Sequence, residues 1–219
     1  MAKVIIFGIG QIAEIAHFYL STDTEHEVIA FTVDQEYLTT ESFHDLPVVS
    51  YEVLTQLYPP TDFSLFIPIS YKKVNKLRAD KFADAKARGY KCVSYISSKA
   101  TYYGTPVGEN CFIFENNVIQ PFTKIGDNCI LWSGNHIGHH TIIEDHCFIA
   151  SHVVISGNVK IGESTFLGVN CTIADNVAVG KSNVIGSSAV IFKNTDDFSV
   201  YSPNETEKSK VPSNRLRGF

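Results

Sequence analysis

Residues 125–148 read IGDNCI, LWSGNH, IGHHTI and IEDHCF, and each of these six-residue blocks begins with isoleucine or leucine. The pattern extends in both directions, because every sixth residue from Val107 to Ile191 is Ile, Leu or Val. A short fixed period is typical of architectures in which each unit stacks on the next one. Blocks of six residues predict a parallel β-helix, in which three short flat strands make one triangular coil of eighteen residues.

Two further columns of the repeat fit such a coil. Glycine directly follows the aliphatic residue in seven blocks, and we expect it to let the backbone turn sharply. These glycines are Gly108, Gly126, Gly138, Gly162, Gly168, Gly180 and Gly186. The position four residues after the aliphatic one holds only Cys, Asn, Thr, Val or Ala, as a narrow interior requires. Four of the five cysteines fall in this column, which predicts that they pack in the core rather than react.

The chain before the repeat has a different character. Lys3–Phe7 is an apolar run typical of a buried strand, and Gly8 and Gly10 separate it from an amphipathic stretch that opens at Gln11. A Gly-x-Gly turn between a strand and a helix brings backbone amides close to a phosphate. A second strand, residues 26–33, ends at Asp34, where such folds place an acidic contact to a ribose or base. The alternative is a close strand–helix turn that binds nothing.

The remaining segments predict a small parallel α/β domain. We expect helices at residues 51–58 and 71–88 and strands at residues 63–69 and 91–96, with Ser70 following the third strand as a further candidate ligand contact. About four strands make only half of a dinucleotide-binding fold, so NAD is not expected.

The predicted organisation has four segments. They are an α/β domain at 1–96, a linker and first turn at 97–106, the β-helix at 107–192 and a C-terminal tail at 193–219.

Composition excludes several classes of function. Eighteen Lys and Arg against 23 Asp and Glu give a net charge of −5, so there is no basic footprint for nucleic acid. No apolar run approaches the roughly 20 residues that a membrane span needs. The N-terminus leads directly into a strand without a signal-peptide pattern, and the cysteines show no CxxC spacing. We therefore expect a cytoplasmic, reduced protein.

The combination of a truncated nucleotide-binding domain with hexads of the form [Ile/Leu/Val]-Gly-x-x-x-x resembles the nucleotide-sugar N-acetyltransferases, such as the bacillosamine and perosamine enzymes. The related sialic acid O-acetyltransferases share this layout. The resemblance implies a left-handed β-helix and a homotrimer with active sites between neighbouring prisms. It also implies transfer from acetyl-CoA or another acyl-CoA to a UDP- or dTDP-linked amino-deoxy sugar, for bacterial surface glycans.

The same resemblance implies the roles of individual residues. The family motif reads roughly Asn-x-Gly-x-x-x-x-His-acid, followed one coil later by Ala/Ser-Gly-x-Val-x-Ile-Gly. Here His139 takes the place of the catalytic base, and Gly157 that of a backbone amide near the thioester carbonyl. The acidic residue after the base is replaced by His140. A second family histidine, at the coenzyme pocket, aligns with Phe148, and His146 lies two residues earlier.

Physical chemistry supports His139 independently. Formation of an amide needs a base of near-neutral pKa to remove the amine proton as the tetrahedral intermediate forms. An amide N–H directed at the developing oxyanion would stabilise the same state. His139 occupies the third position of its hexad, near an outward corner that a second prism could cover. Three aromatic residues at outward-pointing positions, Trp132, Phe148 and Phe166, also favour a trimer.

Other functions stay open. Five histidines follow Leu131, but His140, His146 and His152 occupy the same position of consecutive hexads, so they point to three different faces and no metal site is expected within one subunit. Sugar O-acetylation is the nearest alternative. A zinc-dependent γ-carbonic-anhydrase-like enzyme and a non-catalytic nucleotide-sugar-binding prism are further ones.

The end of the chain deviates from the family pattern. Val200–Pro203 replaces a Gly-x-Pro-Ala loop that lies against coenzyme A in family members. Four basic residues follow, either as solvated charge or as a contact to a coenzyme phosphate. They are Lys208, Lys210, Arg215 and Arg217.

Overall fold

A parallel sheet forms the first part of the chain in the computed structural model, which describes residues 1–215; Arg217 of the basic tail lies outside them. The strands and helices of this part are β1 (Lys3–Phe7), α1 (Gln11–Asp23), β2 (Glu27–Val33), β3 (Ser42–Phe43), β4 (Leu46–Ser50), α2 (Leu54–Leu57), β5 (Phe63–Phe66), α3 (Lys76–Ala87) and β6 (Lys91–Cys92). The strand order is β3-β4-β2-β1-β5-β6, and every pairing is parallel except that of β3 with β4. The predicted α/β domain is present, with two strands more than expected.

The missed strands form a hairpin at the edge of this sheet. His44 and Asp45 turn the chain at positive φ, and β4 then pairs with β2 through Val48 and Val49. Sequence reasoning missed β4 because it is short and contains Pro47, which argues against a strand in the interior of a sheet. The predicted helix at 51–58 is a 3-10 turn followed by the short α2, and the helix predicted from residue 71 begins at Lys76.

The second part of the chain is a parallel β-helix with three faces. Its strands are β7 (Tyr95–Ile96), β8 (Thr101–Tyr102), β9 (Phe112–Ile113), β10 (Val118–Ile119), β11 (Lys124–Ile125), β12 (Ile130–Leu131), β13 (His136–Ile137), β14 (Ile142–Ile143), β15 (Phe148–Ile149), β16 (Val154–Ile155), β17 (Lys160–Ile161), β18 (Phe166–Leu167), β19 (Thr172–Ile173), β20 (Ala178–Val179), β21 (Val184–Ile185), β22 (Val190–Ile191) and β23 (Val200–Tyr201). The first face stacks β7, β9, β12, β15, β18, β21 and β23; the second stacks β8, β10, β13, β16, β19 and β22; the third stacks β11, β14, β17 and β20.

The β-helix begins earlier and ends later than the repeat in the sequence. β7 pairs with β9, so the predicted strand at 91–96 is divided between the two parts of the molecule. The predicted linker at 97–106 contains β8, which pairs with β10. Beyond residue 192, β23 adds one more strand to the first face by pairing with β21.

The interior of the β-helix has the predicted composition. The aliphatic residues from Ile113 to Ile191 are all buried, and so is the column of small residues. All five cysteines are free and buried, and burial raises the pKa of the Cys171 thiol to about 12. The predicted packing role of the four repeat cysteines is confirmed, because a protonated thiol without access to solvent is a small apolar side chain.

The physical role expected of the repeat glycines was wrong. A Cβ added to Gly162 would lie 2.6 Å from the backbone of Gly180 and Lys181 in the next coil, and the other glycines of this column meet their next coil just as closely. Glycine is therefore needed for close stacking. The turn is made two residues later, where each residue has a positive φ between 52° and 80°. Asn, Ser, His and Gly hold all but one of these left-handed positions, as expected for residues that tolerate this conformation.

The α/β domain packs on the first face of the β-helix. A shared apolar cluster joins α1 to aromatic side chains of that face, among them Phe112, Phe114 and Phe148. Phe148 is 3 % exposed, while Trp132 and Phe166 pack partly buried against the same cluster. The expectation that these aromatics form an exposed surface for a trimer was therefore wrong: the chain's own first domain covers them.

A fully buried arginine fixes this junction. Arg78 of α3 donates hydrogen bonds to the carbonyl oxygens of Asn128 and Cys147 in the β-helix, at 3.1 Å each, and of His146 at 2.8 Å. Its guanidinium has no carboxylate partner among the described residues, and burial lowers its pKa to about 10. Such a group is stable only while its donors are satisfied, so α3 and the β-helix are held in one arrangement.

Candidate active site

His139 lies at the corner between the second and third faces, directly after β13. Ile137 anchors this corner in the core, and Gly138 lets it approach the next coil: a Cβ on Gly138 would come within 2.5 Å of the backbone of Ser156. The imidazole is exposed, and its backbone N–H donates to Gln120 Oε1 at 2.8 Å. The repeat thus places one titratable side chain at a rigid, open corner.

The two ring nitrogens of His139 have different surroundings. Nδ1 lies 3.1 Å from Nδ1 of His140. Gly157 lies against the imidazole, where an added Cβ would come within 2.7 Å of Cε1, 2.8 Å of Nε2 and 3.2 Å of Nδ1. The structure therefore brings His139, His140 and Gly157 together, as their spacing in the sequence indicates. Glycine at 157 adds no side chain over the ring, and Nε2 has no hydrogen-bond partner among the described residues, so this nitrogen is free to accept a proton from a bound molecule.

The backbone amide of Gly157 has a partner that sequence reasoning missed. Its N–H donates to Asp175 Oδ1 at 2.8 Å. Asp175 follows Gly157 by eighteen residues, so the repeat itself contains the signal. The same pattern occurs where Asp127 and Asp145 accept from the amides of Glu109 and Asp127 at another corner. The amide can bind another oxygen only when the carboxylate moves away.

His146 and Phe148 lie elsewhere. His146 is at the corner between the third and first faces, under α3, where its ring is 6.0 Å from that of Phe82. Phe148 is covered by Tyr71 and Phe166 on the first face. The structure does not bring either residue together with His139. The ring of Phe148 is buried, so it offers no surface to a ligand bound at the His139 corner of the same chain.

His146 is part of a buried polar ladder. Its Nδ1 lies 2.9 Å from the side-chain Nδ2 of Asn128, and Oδ1 of Asn128 accepts from Nδ2 of Asn110. Burial lowers the pKa of the His146 imidazole below its ordinary value. Because the Asn128 amide is a donor, Nδ1 is the acceptor of this bond and the neutral imidazole fits the ladder better than the cation.

The predicted nucleotide contacts gather at the carboxyl edge of the sheet. Gly8 turns the chain at a φ of 112°, and its N–H donates to the carbonyl of Thr32 at 2.8 Å. Gly10 precedes α1, whose first turn has no side-chain cap, and an added Cβ at Gly10 would meet nothing within 4 Å. Gln11 is exposed at the first position of the helix. Free amides at an uncapped helix N-terminus are suited to an anion.

Asp34 and Ser70 follow β2 and β5 at the same edge, but both are engaged within the chain. Asp34 forms a 2.6 Å ion pair with Lys81 of α3, a residue that sequence reasoning missed. The carbonyl of Ser70 accepts from Arg78 at 3.2 Å. Lys81 Nζ also lies 4.8 Å from the centre of the Tyr51 ring, so this edge presents a cation beside the predicted acidic contact.

A groove of about 500 Å³ runs between α1 and the corner that joins the first and second faces. Trp132 stacks on Phe114 in this groove, with ring centres 4.6 Å apart and planes 8° from parallel. Glu14 and Glu115 also line it, and Tyr19 donates to Glu115 at 2.8 Å. The groove begins at Gln11, next to the glycine turn, so a ligand held at the turn could extend into it.

The histidines do not gather into a metal site. His140, His146 and His152 lie at three successive corners, as their spacing predicts. Within residues 1–215, no three His, Cys, Asp or Glu side chains are grouped closely enough to hold a metal ion. None of the helices in this part of the chain is long and apolar enough to cross a membrane.

Comparison with known families identifies the repeat. The family model described as bacterial transferase hexapeptide (six repeats) matches residues 105–139 and 123–157, and that described as hexapeptide repeat of succinyl-transferase matches residues 158–193. Residues 105–193 are thus hexapeptide repeats. No curated protein sequence gives a significant match to this chain.

Solved structures share the fold over nearly the whole chain. Perosamine N-acetyltransferase from Caulobacter crescentus, in complex with CoA and GDP-perosamine, has a TM-score of 0.79 at 22 % identity, covering 91 % of this chain and 93 % of that one. The acetyltransferase domain of PglB from Neisseria gonorrhoeae has a TM-score of 0.78 at 22 % identity, covering 91 % and 96 %. WeeI from Acinetobacter baumannii has a TM-score of 0.58 at 18 % identity, covering 91 % and 96 %. The predicted α/β domain followed by a left-handed parallel β-helix is confirmed.

The half-buried His146 predicts a dependence of stability on pH. Its pKa is lowered in the folded state, so the unfolded chain binds more protons as the pH falls below the ordinary histidine value of about 6.5. The free energy of unfolding should therefore decrease between about pH 7 and pH 5. It should decrease less in His146→Asn, because asparagine fits the left-handed corner and the ladder without titrating. Urea unfolding followed by circular dichroism across this pH range measures the difference.

The matched control is His152→Asn, which makes the same exchange at the next left-handed corner and reports the effect of the substitution on the turn. Curves for His146→Asn that run parallel to the parent at every pH would contradict a His146 that is neutral in the folded state.

Proposed function

We propose that this protein is an acyl-CoA-dependent N-acyltransferase that acts on the amino group of a nucleotide-linked amino-deoxy sugar in bacterial surface glycan synthesis. The observation that carries the proposal is the corner at His139, where a histidine with one free ring nitrogen faces a glycine in the next coil. The fold shared with perosamine N-acetyltransferase, whose complex holds CoA and GDP-perosamine, supports the choice of substrates. The nucleotide would be UDP or dTDP, and the GDP-perosamine complex makes GDP a third candidate.

In the proposed reaction, His139 is the only group that has to accept and return a proton. The amine nitrogen attacks the thioester carbonyl carbon, and the new C–N bond forms while Nε2 of His139 takes the amine proton. The tetrahedral intermediate then expels the thiolate as the C–S bond breaks, and the imidazolium returns the proton to sulfur. The products are the N-acyl sugar and the free thiol. A hydroxyl acceptor would follow the same route, so sugar O-acylation is the second candidate.

The glycine turn supplies the second half of the proposal. Amides of Gly10 and Gln11 at the start of α1 would bind the diphosphate, and the groove beside them would receive the sugar. The groove lining includes Glu14 and Glu115 but no Lys or Arg among the described residues, which suits a cationic amino sugar better than another phosphate. The five free cysteines are consistent with a reducing compartment, and we place the reaction in the cytoplasm.

Assembly into a homotrimer is part of the proposal. The outward column of the second face alternates three exposed valines, Val118, Val154 and Val190, with His136 and Thr172, and Val190 is 51 % exposed. His139 lies at the edge of this face, and one chain alone leaves it open to water. A second prism packed there would bury the valines and enclose the imidazole, which strengthens electrostatic interactions in the site.

Light scattering tests this assembly. We expect a mass about three times that of the 24.3 kDa chain at micromolar concentration. Val154→Lys, in the middle of the column, should shift the mass towards that of one chain because it would bury a charge at the interface. Lys160→Gln on the third face is the control that should leave the mass unchanged. A single-chain mass for the parent protein would contradict the proposal.

The catalytic test is His139→Asn. Loss of the base should reduce the rate of thiol release by about 10²–10⁴, the usual contribution of a positioned proton transfer, while acyl-CoA binding is retained. Thiol release would be followed with acyl-CoA and UDP-, dTDP- and GDP-linked amino sugars. His152→Asn makes the same exchange at a different corner from that of His139 and should keep the parent rate.

Three results would separate the candidates. Acylation of only sugar hydroxyl groups by the parent protein would identify it as an O-acyltransferase. Binding of nucleotide sugar without any thiol release would indicate a non-catalytic prism. A near-full rate in His139→Asn would show that His139 is not the general base, and catalysis would then consist of positioning the two substrates.

Gly10→Val tests the nucleotide site separately. A side chain there should occupy the space that the phosphate needs and weaken nucleotide-sugar binding, measured by calorimetry. The fold should tolerate the change, because nothing of the protein lies within 4 Å of the added Cβ and the backbone at Gly10 is extended. Acyl-CoA binding and the melting temperature are the controls. Unchanged nucleotide-sugar affinity would show that the turn is only structural.

A further inference from the structure

His140 replaces the acidic residue that follows the base in the family motif, and the structure shows what it does instead. The Nδ1 atoms of His139 and His140 lie 3.1 Å apart, within hydrogen-bonding distance. Two acceptor nitrogens would repel each other, as would two N–H groups. One imidazole therefore donates its Nδ1 proton and the other accepts it.

The direction of this bond follows from the other edge of His139. A base must present an unprotonated nitrogen to its substrate, and Nε2 is the ring nitrogen of His139 that has no hydrogen-bond partner among the described residues. A neutral imidazole carries one ring proton, so that proton is on Nδ1 of His139 and is donated to His140. The proton of His140 is then on its own Nε2.

We propose that His140 is a positioning residue, which accepts the Nδ1 proton of His139 and so holds His139 in the tautomer whose Nε2 is free. The inference rests on the proposed function, because the direction of the bond is taken from the free Nε2 that a base needs. A neutral imidazole takes over the orienting role of a carboxylate in a histidine–acid pair.

Phe122 supports this role. It occupies the left-handed position one coil before His140, with a φ of 67°, whereas every other such position in the repeat holds Asn, Ser, His or Gly. A bulky side chain in this conformation is strained and needs a compensating contact. The Phe122 ring is 69 % exposed, and its contact is the His140 ring, 4.8 Å between centres and tilted by 36°. Stacking on this face restricts rotation of the His140 imidazole.

The alternative is that His140 merely fills a left-handed turn. Glycine at 134 fills the equivalent turn at the preceding corner without any side chain. His140→Gly therefore keeps the backbone conformation and removes the acceptor. His140→Asp restores an acceptor at the same position, because aspartate also tolerates the left-handed region. The pair of variants separates the acceptor from the turn.

The test is nitrogen-15 NMR of histidine-labelled protein without substrates, at about pH 8 where imidazoles are neutral. The His139 signals are assigned by their loss in His139→Asn. We expect the Nδ1–H tautomer of His139 in the parent protein, a mixture of both tautomers in His140→Gly, and the Nδ1–H tautomer again in His140→Asp. An Nε2–H tautomer in the parent, or no change in His140→Gly, would overturn the proposal.

Kinetics provide the second measurement. In His140→Gly we expect kcat to fall about tenfold to a hundredfold, as when the partner that orients a functional histidine is removed, with little change in KM. His140→Asp should recover most of this loss, and Phe122→Ser should lose less than His140→Gly. A kcat in His140→Gly equal to that of the parent would refute the positioning role. Absence of acyl transfer by the parent, with the NMR result as expected, would refute the proposed function and leave the tautomer assignment intact.

Discussion

Parallel pairing between coils is the constraint on which the site depends. From β9 to β22, each strand of the β-helix pairs with the strand eighteen residues away, as His136 does with Val154, and paired strands lie about 4.8 Å apart. Side chains eighteen residues apart are therefore forced into contact at every corner. This one rule places Gly157 on the ring of His139, Phe122 on the ring of His140, and Asp175 at the amide of Gly157. A corner with its own side-chain chemistry is made by changing single residues in a scaffold that is already rigid.

The junction between the two parts of the chain extends this rigidity to the glycine turn. Arg78 satisfies carbonyl groups on both sides, and the apolar cluster joins α1 to the first face. Removing the buried guanidinium would leave several carbonyl oxygens without donors, each at a cost of about 1–3 kcal/mol. The start of α1, which we propose to hold the nucleotide, is therefore fixed relative to the groove and to the coils. Two substrates can be aligned only if their sites cannot drift apart.

The repeat could be predicted because it is periodic: the aliphatic column, the small interior column and the position of His139 over Gly157 all follow from a period of six. One expectation failed for a reason that a period does not contain. It shows that Trp132, Phe148 and Phe166 point outward, but the α/β domain that covers them comes from a part of the chain with no period. His146 and Phe148 lie at a different corner and face from His139, and their predicted contact with coenzyme A stays a prediction. Contacts between the α/β domain and the β-helix could not be predicted from the sequence pattern of either part alone.

The engaged amide of Gly157 bears on how the proposed reaction would be stabilised. Asp175 holds this N–H with a charged acceptor, and hydrogen bonds to charged acceptors are roughly twice as strong as those to neutral ones. A neutral thioester carbonyl would therefore displace the carboxylate poorly. The oxyanion of the tetrahedral intermediate is itself charged and competes on nearly equal terms. An interaction that is weak in the bound substrate and strong in the intermediate lowers the barrier rather than the ground state. The exposed carboxylate, which the repeat places there as an ordinary cap, would thus make the amide selective for the reacting state.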